Sequence, residues 1–138
     1  MRILITFIAI FLFGKVAVAA DFTREYGAQT TINFQLYATD GADLKADATC
    51  EIDDIKIMKD NGTETTATNC YTDEGQGYSL VLTASEMEAA RIVIYIVDQS
   101  TKAWLDHVIT IETFGNASAQ YPDEGVTCDN LSNVGSCF

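Results

Sequence analysis

His107 is the single histidine of the chain, and Asp106 precedes it directly. An acid–base pair needs the two groups within hydrogen-bond reach of one another. Residues 104–113 read as a strand, and neighbours on a strand point to opposite faces, so Asp106 does not serve as the partner of His107. No G-x-S-x-G, H-E-x-x-H or phosphate-loop motif occurs in the sequence. The sequence therefore marks no catalytic, cofactor-binding or metal-binding residue. Motif absence alone does not exclude an enzyme, because the carboxylate pairs of glycosidases have no fixed local signature. A non-enzymatic protein is nonetheless expected, with a small secreted hydrolase ranked far below it. Asp53-Asp54 and Asp60-Asn61-Gly62 carry the hard oxygen donors that calcium takes, if a hairpin brings them together. Their spacing is not that of an EF-hand loop, and Asp-Asn-Gly is first a turn sequence. Trp104 with Tyr95 is expected in a core rather than as a sugar-stacking platform, because aromatic side chains bury large areas. Three N-glycosylation patterns begin at Asn61, Asn116 and Asn130, and they matter only on a eukaryotic secretory route.

Four cysteines, Cys50, Cys70, Cys128 and Cys137, follow the first 20 residues. An even number beyond an export signal reads as two disulfides formed in an oxidising compartment. Four cysteines allow three connectivities. Lys59-Asp60-Asn61-Gly62-Thr63 carries the Asn-Gly hairpin signal, and pairing the strands on either side of it brings Cys50 towards Cys70. Cys128 with Cys137 is then the second pair, closing a short loop in the tail. There is no C-x-x-C, and the spacing fits neither zinc nor thioredoxin-type chemistry.

The elements that position these residues are mostly strands. Over 29–37 (QTTINFQLY), Ile32, Phe34 and Leu36 alternate with Thr31, Asn33 and Gln35, which predicts a strand with one solvated face. Thr39-Asp40-Gly41 turns the chain. Ile55, Ile57 and Met58 mark a second strand before the Asn61-Gly62 turn, with 65–71 as its return. Tyr78, Leu80 and Leu82 give a further period-two strand. Thr83-Ala84-Ser85-Glu86 fits a capping box and predicts a short helix over 84–90. The β-branched run 91–97 (RIVIYIV) reads as a central strand with both faces covered, and 104–113 returns after the turn at 98–101. Six or seven short strands with one short helix suit a two-sheet sandwich, although periodicity alone does not separate this from a small barrel.

The segment 73–116, with acidic turn residues before YSLVLTASEM and a closing IETFGNASAQ at 111–120, resembles small immunoglobulin-like β-sandwich proteins of tailed bacteriophages. It is more loosely similar to baseplate upper-protein N-terminal domains. The similarity begins near Thr23-Arg24-Glu25-Tyr26-Gly27, includes IMKDNGTE at 57–64, and runs through Gln120. It implies an Ig-like antiparallel sandwich of about seven strands and no catalytic residues. It further implies a structural part of a virion, of the tail, baseplate or head-accessory kind, working by protein–protein assembly or self-association.

Residues 1–20 have the three parts of a secretory signal: Arg2, an apolar core over 3–13 broken only by Thr6, and Ala17-Val18-Ala19-Ala20 as the cleavage region. Cleavage after Ala19 or after Ala20 fits, no cysteine follows to carry a lipid, and Gly14 and Lys15 end the apolar run early, so no stable membrane insertion is expected afterwards. The chain is then exported, to the periplasm, the cell surface or the medium, whereas virion parts usually assemble in the cytoplasm. A secreted or periplasmic cell-surface binding or adhesion domain is the alternative function. Residues 21–120 form the domain and 121–138 a disulfide-closed extension, whose terminal Phe138 is expected to pack on its own domain. The formal charge of −12 falls by two, to −14, when Arg2 and Lys15 leave with the signal. Such acidity excludes nucleic acid as a partner, since phosphate binding needs a basic patch. Protein partners are favoured, carbohydrate is compatible, and no cofactor is indicated.

Overall fold

The structure is a computed structural model and describes residues 21–122. Eight strands form: β1 (Phe22–Glu25), β2 (Thr30–Phe34), β3 (Ile55–Lys59), β4 (Thr65–Thr66), β5 (Thr72–Asp73), β6 (Tyr78–Leu82), β7 (Arg91–Ile96) and β8 (His107–Phe114). They make two sheets, of order β1-β8-β7-β3-β4 and β2-β6-β5. Every pairing is antiparallel except β1 with β8, which is parallel, so the sheet expected to be wholly antiparallel is mixed at one edge. Lettered as an immunoglobulin domain, β2, β6 and β5 stand as B, E and D, and β3, β7 and β8 as C, F and G.

The alternation read in the sequence is the reason the layers form. Ile32 and Phe34 from one sheet, with Leu36 just beyond β2, meet Ile92, Ile94, Ile96, Ile109 and Ile111 from the other in a single buried cluster that also takes in Leu80, Leu82 and Met87. Thr31, Asn33 and Gln35 are exposed on the far face of β2. β7 is central, as expected, between β3 and β8. Only its Ile92, Ile94 and Ile96 face is buried, however, and Val93 and Tyr95 are half-buried on the outer face, because no third layer covers that side.

The expected helix over 84–90 is a single turn. Its capping box forms, with the Thr83 amide and hydroxyl both donating to Glu86 Oε2 (2.7 and 2.8 Å) and the Glu86 amide to Thr83 Oγ1 (3.3 Å). The Met87 amide reaches the Thr83 carbonyl at 3.1 Å, and there the helix stops. Met87 and Ala89 are pulled into the core and β7 begins at Arg91, so no residues remain to propagate it. The only helical element among the described residues is a 3₁₀ turn at Ile52–Asp54.

The β3–β4 hairpin also differs in its turn. Asp60 and Asn61, with φ of 48° and 59°, are its two left-handed residues, and the Gly62 amide donates to the Lys59 carbonyl at 2.8 Å. The turn thus centres one residue earlier than Asn61-Gly62. Asp60 takes the strained place because its carboxylate accepts the Arg91 amide at 2.9 Å. The return strand expected over 65–71 is shorter: β4 holds two residues and the chain then crosses to the other sheet as β5. Cys50 and Cys70 flank this hairpin and are joined by a disulfide, with Cα atoms 5.8 Å apart. Closing a loop of that length contributes about 3 kcal/mol on the chain-entropy account. The expected Cys128–Cys137 pair, the signal segment and all of the tail after Pro122 lie outside the described residues.

Candidate binding surface at the loop end

Register decides which loops meet. Phe34, the last residue of β2, faces Tyr78, the first of β6, while Ile96 at the end of β7 faces both Ile55 and His107. The connections 35–54, 74–77 and 97–106 therefore gather at one end of the sandwich. The first is long and carries its own excursion: Tyr37 bridges Leu44, the Lys45 amide donates to the Leu36 carbonyl (2.8 Å), and Gly41, at φ 72°, donates to the Ala38 carbonyl (2.8 Å). Only glycine takes that φ without strain. Ala38 bridges Trp104 and the Leu105 amide donates to the Tyr37 carbonyl, which docks the excursion onto 97–106.

Two buried carboxylates hold this end together. Asp54 accepts the Glu51 amide (2.9 Å) and the Gln99 amide (3.0 Å), while the Val97 amide donates to its carbonyl. Asp98 accepts the amides of Ser100, Thr101 and Ala103 and the Thr101 hydroxyl. The Ala103 amide above all, followed by the Thr101 and Ser100 donors, holds the Asp98 carboxyl well below its usual range despite burial. Tyr78 pins the long connection from below: its hydroxyl donates to the Lys45 carbonyl and accepts the Ala48 amide (3.1 Å). Burial first, and nearby carboxylates second, raise its pKa. Trp104 packs edge-on to Tyr71, ring centroids 6.2 Å apart, and the Trp104 indole N–H and Tyr71 hydroxyl are buried with no partner among the described residues. Burial, with the Asp54 carboxylate next, pushes the Tyr71 hydroxyl up.

The surface above this frame is acidic and spotted with apolar side chains. Tyr37, Leu44, Ile52 and Leu105 are exposed there. The same three connections carry Asp40, Asp43, Asp47, Glu51, Asp53, Glu74 and Asp106, all exposed, against Lys45 and Lys102. Lys102 is itself paired with Asp106. Clefts indent the same end: one of about 510 Å³ beside Phe34, Glu74, Gln76 and Tyr78, one of about 380 Å³ between Asp43–Ala46 and Gly75, and one of about 250 Å³ beside Asp47, Asp98 and Trp104.

The groups singled out in the sequence are dispersed by this geometry. His107 faces inward and stacks on Phe34, centroids 5.9 Å apart, and burial lowers its pKa while Asp21 opposes that. Asp106, the last residue of the loop before β8, pairs with Lys102 instead. Asp53-Asp54 and Asp60 stand at opposite ends of the five-residue β3, about 20 Å apart at the strand rise, so the hairpin does not join them as one oxygen cage. Asp53 pairs with Lys56 at 3.1 Å. No group of three or more His, Cys, Asp or Glu among the described residues is placed to hold a metal ion. Trp104 is in the core as expected, but Tyr95 is on the outer face of β7 opposite Val108, so the two do not pack together. No described helix is long and apolar enough to cross a membrane. What the sequence reading missed was the loop end itself, since its signal, a long charged connection ending at buried Asp54, becomes visible only once register places three loops side by side. Comparison with protein-family models, with curated proteins and with solved structures finds no match to this chain.

Proposed function

We propose that the chain is a non-enzymatic structural or binding module that acts through protein–protein contact at its loop end. The observation that carries this is the exposure of Tyr37, Leu44 and Leu105 on loops rich in exposed carboxylates and fixed by Asp54, Asp98 and Tyr78. Interfaces combine an apolar centre with a charged rim, and rigid loops lower the entropy cost of docking. The acidic surface favours a basic partner. A virion setting, in tail, baseplate or head-accessory parts, is supported by the sequence resemblance. The second reading is an exported cell-surface or periplasmic binding domain, and the Cys50–Cys70 bridge favours it because disulfides persist in oxidising compartments.

Peptide mass spectrometry on purified phage particles and on the periplasmic fraction of the same culture tests the two settings. Recovery in particles establishes the virion role. Recovery only outside them, as a processed chain beginning at Ala20 or Asp21, rejects that role in favour of the exported binding domain.

A further inference from the structure

The outer edge of β2 is the open side of the sandwich. β2 pairs with β6 alone, and no backbone group of residues 29–34 bonds to anything on its other side among the described residues. Sheets usually blunt such an edge with charge, proline, a bulge or brevity. The other edges follow that rule: β1 carries Arg24 and Glu25, and β4 and β5 are two residues long, with Glu64 beside β4 and Asp73 within β5. From Gln29 to Tyr37 there is no charge, proline or glycine. Beside this edge, between the two sheets, runs a mainly apolar groove of about 260 Å³ lined by Phe22, Phe34, Tyr37, His107 and Ile109, with Asp21 on its rim.

We propose that the β2 edge and this groove bind an extended segment of another protein by strand addition, an apolar side chain entering the groove and basic residues flanking it. The inference rests on the reading of the chain as a binding module and extends its surface from the loop end along the β2 edge, with Tyr37 common to both. Strand addition takes its affinity from main-chain hydrogen bonds and its selectivity from pockets for alternate side chains. A second copy fits less well, because Ile32 and Phe34 of its own β2 are already buried and would leave the groove unfilled. The charge requirement comes from Asp21 on the groove rim and from Asp40, Asp43 and Glu74 in the loops beyond the end of β2. Flanking lysines would meet carboxylates, whereas acidic flanks would be repelled.

The test is a titration of the isotopically labelled, disulfide-intact chain with a capped Lys-Val-Thr-Val-Thr-Val-Lys peptide, followed by amide chemical shifts. Saturable shifts at residues 30–34, with Phe22 and Ile109, are expected. A peptide N-methylated on the amides of one edge should bind roughly tenfold or more weakly, while methylation of the opposite edge is tolerated, since only the edge facing β2 donates to it. Asn33→Lys, at an exposed position on the strand, should weaken binding of this peptide and leave the spectrum otherwise native. Equal effects of the two methylation patterns, no binding, or shifts confined to the loop tips would overturn the proposal, and the last result would leave the loop-end reading standing. Concentration-dependent shifts at β2 without peptide would assign the edge to a second copy and overturn it too.

Discussion

Asp98 collects three backbone amides and a hydroxyl on one carboxylate at the start of the 97–106 loop, and its own side chain is almost wholly covered. Removing it as Asp98→Ala leaves those donors without their acceptor, and a loss of about 3 kcal/mol is expected in urea unfolding. Protonation should mimic part of that change. A carboxyl held below its ordinary value of 3.8 adds stability that is fully present above that value and is lost as pH falls towards the lower folded value. The gap in unfolding midpoint between wild type and Asp98→Asn should therefore be constant from neutral pH down to about pH 5 and narrow below about pH 4. A gap that stays constant to pH 2 would mean that the carboxylate's charge contributes nothing beyond its shape. Turn chemistry at 98–101 was legible in the sequence because Asp, Ser and Thr satisfy local amides. The bond from Gln99 to Asp54 was not, since it spans 45 residues and depends on two strands lying side by side.

At the scale of elements, the turn after β6 joins distant parts of the chain through one side chain. Glu86 Oε2 holds the Thr83 amide and hydroxyl, and Oε1 accepts the Thr68 amide at 2.7 Å, tying the β4–β5 crossover to the β6–β7 turn. Burial raises the Glu86 pKa, and the amides of Thr83 and Thr68 outweigh it, so the carboxyl is lowered overall. Glu86→Ala should cost about 2 kcal/mol, read as a lower urea midpoint at unchanged slope. Glu86→Gln, which keeps an acceptor for one amide, should cost less. The capping box that led to the expectation of a helix is real in its local bonds, and tertiary burial of Met87 and Ala89 decided the rest. β2, β6 and β7 were readable because alternation or a β-branched run spans each one. β1 was not, because Phe22-Thr23-Arg24-Glu25 holds a single apolar residue and forms only against the edge of β8. β4 and β5 are two residues each, too short for a period to register.

The whole molecule carries 20 acidic against 8 basic residues, and the described ion pairs engage only Lys56, Arg91 and Lys102. Like charges gathered on the 35–54, 74–77 and 97–106 loops repel one another in the folded chain, because folding brings them closer than they lie in the unfolded one. Raising sodium chloride from about 0.01 M to about 0.15 M shortens the screening length from about 30 Å to about 8 Å. The thermal midpoint of the free chain should rise over that range, since the repulsion opposing the compact state is screened. Binding of a basic partner at the loop end should weaken over the same range, mainly through a slower association rate. The two trends have opposite signs and one origin, so calorimetry and association kinetics in the same buffers test it together. A midpoint indifferent to salt would show that local pairs and bound donors, such as those of Asp54 and Asp98, already neutralise the field. An association rate equally indifferent would remove the loop carboxylates from the recognition surface and leave Tyr37, Leu44 and Leu105 as its sole basis.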